Sequence, residues 1–391
     1  MNKNVFLLAC CQGLMTTGNI LLVTICALVG QMLSSSASLT TLPVATQMFG
    51  LLLTTVPASL IMAKTGRKLG FSLGNLIGIS GAMMGFWSLL NSHFYLFCLA
   101  TFLIGIGIGF ATLYRFAAIE ASDKPARAIS MIMASGAIAA ILGPNLAVWV
   151  NNYLPEINYA NSFLALSGIY VIALFLLQLV SFEEVSTQSA QQKQRSIKII
   201  ITQPQFAVAA FIGMVSYSVM NLLMTATPLA MHRHGFDLAE LAMVIEWHVL
   251  GMFLPSFFTG KLIERFGSIT MIISGCILMF VCTLINLTGV SQWHFLLALL
   301  VLGVGWNFMF ISATALVSQA YFPHERAKSQ AANEFFVFSM VALSSLFAGL
   351  LESTIGWQAL NIGSAPILIL ALMASMWFKR HSPLAPPANR L

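Results

Sequence analysis

Charge is what this chain has least of. Only 8% of its 391 residues are Asp, Glu, Lys or Arg, whereas soluble domains carry roughly a quarter, so no water-facing surface of ordinary composition can be built from it. Long polar stretches are equally scarce. Apolar runs of about 20 residues, enough to cross a hydrocarbon core as a helix, recur from end to end and leave no room for a soluble domain. The six cysteines (Cys10, Cys11, Cys26, Cys98, Cys276, Cys282) all fall inside those runs, with no paired-loop or metal-ligand spacing, so neither disulfides nor a metal centre are expected. No nucleophile triad, HExxH pattern or Walker loop is present, which excludes an enzyme or an ATP-driven pump and calls for no cofactor. Val5 to Met32 is too long for a signal-peptide core and a second apolar run follows at once, so the first helix is expected to stay.

What is there is a succession of spans. Breaks at charges and turn formers delimit 5–32, 42–63, 69–90, 94–121, 129–150, 163–182, 206–230, 238–260, 269–287, 294–320, 331–351 and 360–378, twelve helices in an all-α membrane protein. With the N-terminus cytoplasmic, 16 of the 18 Lys and Arg fall on the cytoplasmic side, leaving Arg233 opposite and Arg115 inside a span. That asymmetry predicts both termini inside a bacterial inner membrane. It explains the net charge of +6 without a nucleic-acid partner.

The longest polar stretch, Glu183 to Gln203, divides the chain nearly in half. Around it the sequence repeats. Gly105 and Gly107 answer Gly303 and Gly305 at an offset of 198, and Arg127, Ala128 and Ser130 answer Arg326, Ala327 and Ser329 at 199. Lys64-Thr65-Gly66-Arg67 answers Arg265-Phe266-Gly267-Ser268 at 201. The expected organisation is a six-helix bundle at 1–182, a cytoplasmic linker at 183–204, and a second bundle with a short tail at 205–391.

The loop Gly260-Lys-Leu-Ile-Glu264-Arg265-Phe-Gly267 resembles the signature G-x-x-x-D/E-R/K-x-G-x-R/K of the major facilitator superfamily, and the resemblance covers the whole chain. Its first-half copy is degraded: Ser59 replaces the glycine and Ala63 the acid, while Lys64, Gly66, Arg67 and Lys68 remain. The resemblance implies two pseudo-symmetric bundles working by alternating access, with a cytoplasmic gate here formed by Lys64, Arg67, Lys68, Arg127, Glu264, Arg265 and Arg326. Any charged latch should lean on Glu264, since Ala63 cannot supply one. Gly143-Pro144 is similar to the Gly-Pro pair of the family's antiporters, without the glycines that precede it there. EWHVLGMF and GVGWNF resemble a bacterial subgroup of mostly unassigned substrate, with riboflavin or siderophore uptake among the possibilities.

Ionisable residues inside a membrane are costly and are functional candidates by default. Glu246 lies roughly 12 Å into span eight, near the midplane, where it could exchange a proton or meet a substrate cation; the structural alternative is a carboxylate held by a neighbouring helix. His248, two residues on, is the second proton-coupling candidate; it faces nearly the opposite way, so one of the pair is structural, and a hydrogen bond to a neighbouring helix suits His248 better than lining the path. Glu334 in the first turn of span eleven is a third proton-coupling candidate, although the helix dipole alone favours an acid there. Arg115 is either an anchor for an anionic group, a gate partner of Glu334, or a snorkelling cation. Gln12, Thr16 and Asn19 share one face of span one, and Tyr217, Asn221 and Thr225 one face of span seven. The resemblance makes these helices cavity walls, completed by Arg115, Trp306 and Asn307; the alternative is that these groups tie adjacent helices together. The function expected is secondary active transport of a small solute, proton-coupled, by a monomer in the bilayer. Drug or metabolite efflux and a non-transporting sensor are its rivals.

Overall fold

The structure is a computed structural model describing residues 3–114, 117–118, 121, 125–153, 159–182, 195–322 and 325–381. It is helical, with no strand among the described residues. The first half comprises α1 (Lys3–Leu33), α2 (Leu42–Thr65), α3 (Arg67–Leu90), α4 (Phe94–Ala111), α5 (Pro125–Tyr153) and α6 (Ala160–Gln178). The second comprises α7 (Pro204–Arg233), α8 in two segments (Leu238–Phe253 and Ser256–Phe266), α9 (Ser268–Thr288) and α10 (Gln292–Ser318). The remaining stretch, Arg326–His381, would be roughly 84 Å long if straight, more than two bilayer crossings. Gly356, with φ 79° and ψ 170°, breaks it into α11 (326–355) and α12 (357–381). Twelve crossings result among the described residues, as the apolar runs predict.

Two boundaries differ from expectation in ways that matter. Span eight is not one rod, because Pro255 supplies no N–H and its two segments meet at 42°. Span eleven starts at Arg326 rather than 331, so Glu334 sits in the third turn and the helix-dipole explanation for an acid there falls away. The expected linker lies mostly outside the described residues, but its end, the short helix Ile197–Ile201, leads into Pro204 at the start of α7.

The two halves repeat one another in packing as well as in sequence. Gly66 and Gly267 adopt nearly identical backbone geometry, φ 86°, ψ 155° and φ 82°, ψ 150°, a region essentially restricted to glycine. Each ends one helix and starts the next. A Cβ on Gly105 would collide with the Gln47 carbonyl, and one on Gly303 with the His248 carbonyl. Likewise Gly50 lies against the Phe102 carbonyl as Gly251 lies against that of Leu300. So α4 packs on α2 as α10 packs on α8, by backbone-close contacts that small residues permit in a membrane. Large apolar side chains such as Trp87, Phe175 and Trp293 are exposed on the outer faces, as a lipid-facing surface requires.

Asn4 donates to the Ser181 carbonyl, which places the N-terminus and the end of α6 at one end of the molecule, called here the terminal end. At the opposite end the halves are joined. Thr41 at the start of α2 donates to the Leu346 carbonyl at 3.2 Å and accepts from the Gly349 N–H at 3.1 Å. Beside this seam Arg233 pairs with buried Glu352 at 2.7 Å, on the wall of a cavity of about 220 Å³ that Gln31, Ser34 and Thr40 complete.

Candidate functional site between the two halves

The α1 stripe occupies one narrow face of its helix. At 100° per residue Gln12, Thr16 and Asn19 fall within a sector of about 60°. The flanking directions are taken: Cys11 and Gly18 face α6, at Ala173 and Tyr170, while Gly13 and Ile20 face α5, at Ser135 and Gly143. The stripe is turned to neither. Gln12 donates to Thr16 at 3.1 Å, and Asn19 accepts from Gln47 of α2 at 2.7 Å. The side-chain oxygens of Gln12 and Gln47 are buried and accept no hydrogen bond.

The α7 stripe divides. Tyr217 meets three rings edge-on or tilted, Trp306 and Phe310 of α10 and Phe338 of α11, at 5.3 to 5.6 Å between centroids. Trp306 and Phe310 stack at 5.1 Å and 11°. This aromatic group belongs to the second half by sequence but packs at the seam: Phe338, with Val337, Val341 and Leu229, is continuous with the apolar core of the first half, and Tyr217 and Phe310 lie against it. The indole N–H of Trp306 is buried and donates to nothing. Asn221 instead spends its amide on α11, donating to Ser345 at 2.6 Å and Ser344 at 3.0 Å, and Thr225 is buried beside it. Asn221 is therefore a helix tie. So is Asn307, expected on the cavity wall: fully buried, it bonds α8 at three points.

Glu246 and His248 part as the helical geometry requires. Half-buried Glu246 accepts from the Asn145 amide of α5 at 2.7 Å, across the seam between the halves. His248 is fully buried with Nδ1 2.7 Å from the Leu299 carbonyl of α10, inside the second half and away from Glu246. Nothing in the sequence reading singled out Asn145, Gln47, Phe310 or Phe338. Two of them carried signals: Asn145 follows Gly143-Pro144 directly, and Gln47 lies at the 201 offset from His248. Gly143 itself is needed for packing, since a Cβ there would meet Ile20 and the Thr17 carbonyl.

Of the expected gate, Lys64, Glu264 and Arg265 are exposed, and Arg265 lies over the Phe266 ring. Lys68 donates to the Gln178 carbonyl at 2.7 Å within its own half. Arg67 and Glu334 are both half-buried. Arg115 lies outside the described residues, as do the side chains of Arg127 and Arg326. A different charged contact stands at that end. Arg195, at the end of the linker, forms a bidentate pair with Glu325 before α11, which also accepts from the Phe322 N–H. Lys328 caps the Arg195 carbonyl. The guanidinium holds the Glu325 carboxyl down at about 2. No group of His, Cys, Asp or Glu able to hold a metal occurs among the described residues.

The profile of the Major Facilitator Superfamily matches residues 5–345 and 209–390. The chain is 39% identical over 375 residues to the riboflavin transporter RfnT of Brucella anthropi, spanning 95% of this chain and 94% of that protein. It is 30% identical over 382 residues to the uncharacterized MFS-type transporter YddS of Bacillus subtilis, 92% of this chain and 87% of that one. In structure it is similar to a D-xylose-proton symporter, with a TM-score of 0.74 at 14% identity over 97% of this chain and 98% of that one.

Proposed function

The chain belongs to the Major Facilitator Superfamily, a multi-pass membrane transporter and not an enzyme, and on that premise we propose that it carries riboflavin or a closely similar flavin into the cell, driven by protons. The observation that carries this reading is the aromatic group Tyr217, Trp306, Phe310 and Phe338 at the seam. A flat heteroaromatic ring gains both apolar burial and oriented ring contact there. The α1 stripe offers amides and a hydroxyl for the polar groups such a solute also bears, and the unpartnered oxygens of Gln12 and Gln47 and the Trp306 N–H are groups a ligand would satisfy. A relative named as a riboflavin transporter, alike over nearly the whole of both chains, supports the same substrate.

Glu246 is the proton-coupling residue in this reading. Its hydrogen bond to Asn145 reaches the other half, so its protonation state bears on the contact between bundles. His248 lacks that position, and Glu334 is the secondary candidate. The terminal end is cytoplasmic, on the distribution of Lys and Arg, so the Thr41 contacts close the periplasmic side. The units are two bundles, 1–182 and 205–391, joined by the 183–204 linker, and the monomer is the working form. Gly143 is accounted for by the packing of α5 on α1 and gives drug efflux no separate support.

The test is uptake of radiolabelled riboflavin by proteoliposomes containing the purified chain, with and without an inward proton gradient. Accumulation that depends on the gradient and is competed by flavins is expected. Folded protein that neither binds nor moves riboflavin overturns the substrate; uptake indifferent to the gradient overturns the coupling.

A further inference from the structure

The break in α8 has a particular guardian. In an unbroken helix the Met252 carbonyl would accept from the N–H of Ser256; here the second segment only begins at Ser256. The Ser256 hydroxyl reaches that carbonyl only at 3.4 Å, and the amide of Asn307, one helix away on α10, makes the shorter bond. It donates to the Met252 carbonyl at 2.7 Å and to the Ser256 hydroxyl at 2.6 Å, while its oxygen accepts from Thr259 at 2.7 Å. One buried side chain therefore holds the last turn of the upper segment and the first turn of the lower one.

The two segments are held very differently otherwise. The upper one is welded to α10 by the Gly251 and Gly303 contacts and by His248 to Leu299. In the lower one, Ser256–Phe266, Thr259 is the single buried residue, and its hydroxyl lies 2.7 Å from the Asn307 oxygen and 2.8 Å from the Pro255 carbonyl, which share its proton. That lower segment carries most of the loop motif, Gly260 to Gly267, at the terminal end.

Pseudo-symmetry supplies the control. At the offsets that align the halves, Asn307 corresponds to Gly109, Pro255 to Thr54, Thr259 to Ala58 and Met252 to Leu51. A Cβ on Gly109 would meet Thr54 at 2.8 Å and the Leu51 carbonyl at 3.3 Å. The same place in the first half thus holds a bare glycine against a helix, Leu42–Thr65, that runs on through its own proline, Pro57, and in the second a full amide against a broken one. Neither the break nor its clamp is inherited from the common scaffold.

We infer that Asn307 is a positioning residue that makes α8 a two-part lever, its lower segment hinged at Leu254–Pro255 and tethered through Thr259, so that the Gly260–Gly267 motif swings at the terminal end independently of the rest of its bundle. Rocking of whole halves leaves distances inside one half unchanged; this lever does not.

The experiment measures spin-label distances within the second half of the full chain in lipid, with Cys10, half-buried and the native thiol most open to labelling, replaced by Ala. One pair, Lys261→Cys with Ser318→Cys, reports the lower segment against α10; the other, Met243→Cys with Trp293→Cys, reports the upper segment. Thr259→Val and Asn307→Leu are expected to turn a single narrow lower distance into a broad or divided one while the upper distance keeps its shape, and Thr259→Ser is expected to restore the narrow distribution. A lower distance that stays as narrow in Thr259→Val as in the unaltered chain overturns the proposal. So does equal broadening of both pairs in Thr259→Val, which would mean general loosening rather than a hinge.

Discussion

Asn145 and Glu246, 101 positions apart in sequence, meet through a 2.7 Å hydrogen bond that joins α5 of one bundle to α8 of the other. An amide donating to a carboxylate is a charge-assisted bond, and it weakens when the acid takes up a proton. Replacing Glu246 with Gln keeps a neutral acceptor but removes the titration. Gradient-driven accumulation is therefore expected to vanish while counterflow exchange of preloaded solute persists, as read in the proteoliposome assay. Retained gradient-driven accumulation would exclude Glu246 as the coupling group.

The aromatic group makes a graded prediction. A ring contact contributes about 0.5–1.5 kcal/mol beyond burial, so Trp306→Ala or Tyr217→Ala should weaken riboflavin binding roughly two- to tenfold. The conservative Trp306→Phe should recover part of it, failing only in the contribution of the indole N–H. Asn221→Ala, at a helix tie, should instead lower the melting temperature with little change in the affinity of the surviving folded protein. Calorimetric titration and thermal unfolding in detergent separate the two.

Gly66 and Gly267 offer a test of the duplication itself. Both have positive φ and open space where a Cβ would go, so substitution by Ala costs backbone strain alone, on the order of 1–3 kcal/mol. Because the two turns are alike, G66A and G267A should lower the melting temperature by similar amounts.

The linker clamp should respond to acid. Arg195 lowers the Glu325 carboxyl from its ordinary value of 4.5 to about 2, so the contact favours the docked form fully above about pH 4.5 and is lost as the pH falls from there through about 2. A nitroxide on Lys198→Cys should be immobilised at pH 7 and become mobile across that window. In Glu325→Gln it should be mobile already at pH 7.

Much of the site was legible one helix at a time and illegible between helices. The 3.6-residue repeat places Gln12, Thr16 and Asn19 on one face and sets Glu246 and His248 on opposite ones, and the structure has them so. The same repeat groups Asn221 with Tyr217, yet Asn221 turns its amide to Ser344 and Ser345. A stripe on a helix gives a direction, and only the neighbouring helices decide whether that direction ends in a cavity or in a partner. Asn307 is tied to α8 in the same way: its three bonds are to residues 48 to 55 positions away.

From sequence alone came the membrane setting, the twelve crossings and the residues repeated at fixed offsets. The first two follow from a local quantity, hydrocarbon thickness against helix rise, and the third from residue identities that need no structure to compare. Tertiary structure alone decided that Glu246 meets Asn145, that the rings of α7, α10 and α11 converge at the seam, and that α8 is broken and clamped while α2 is whole. Those depend on which side chains face one another across helices far apart in the chain, where a single glycine or asparagine at the contact changes the outcome and no periodicity records it.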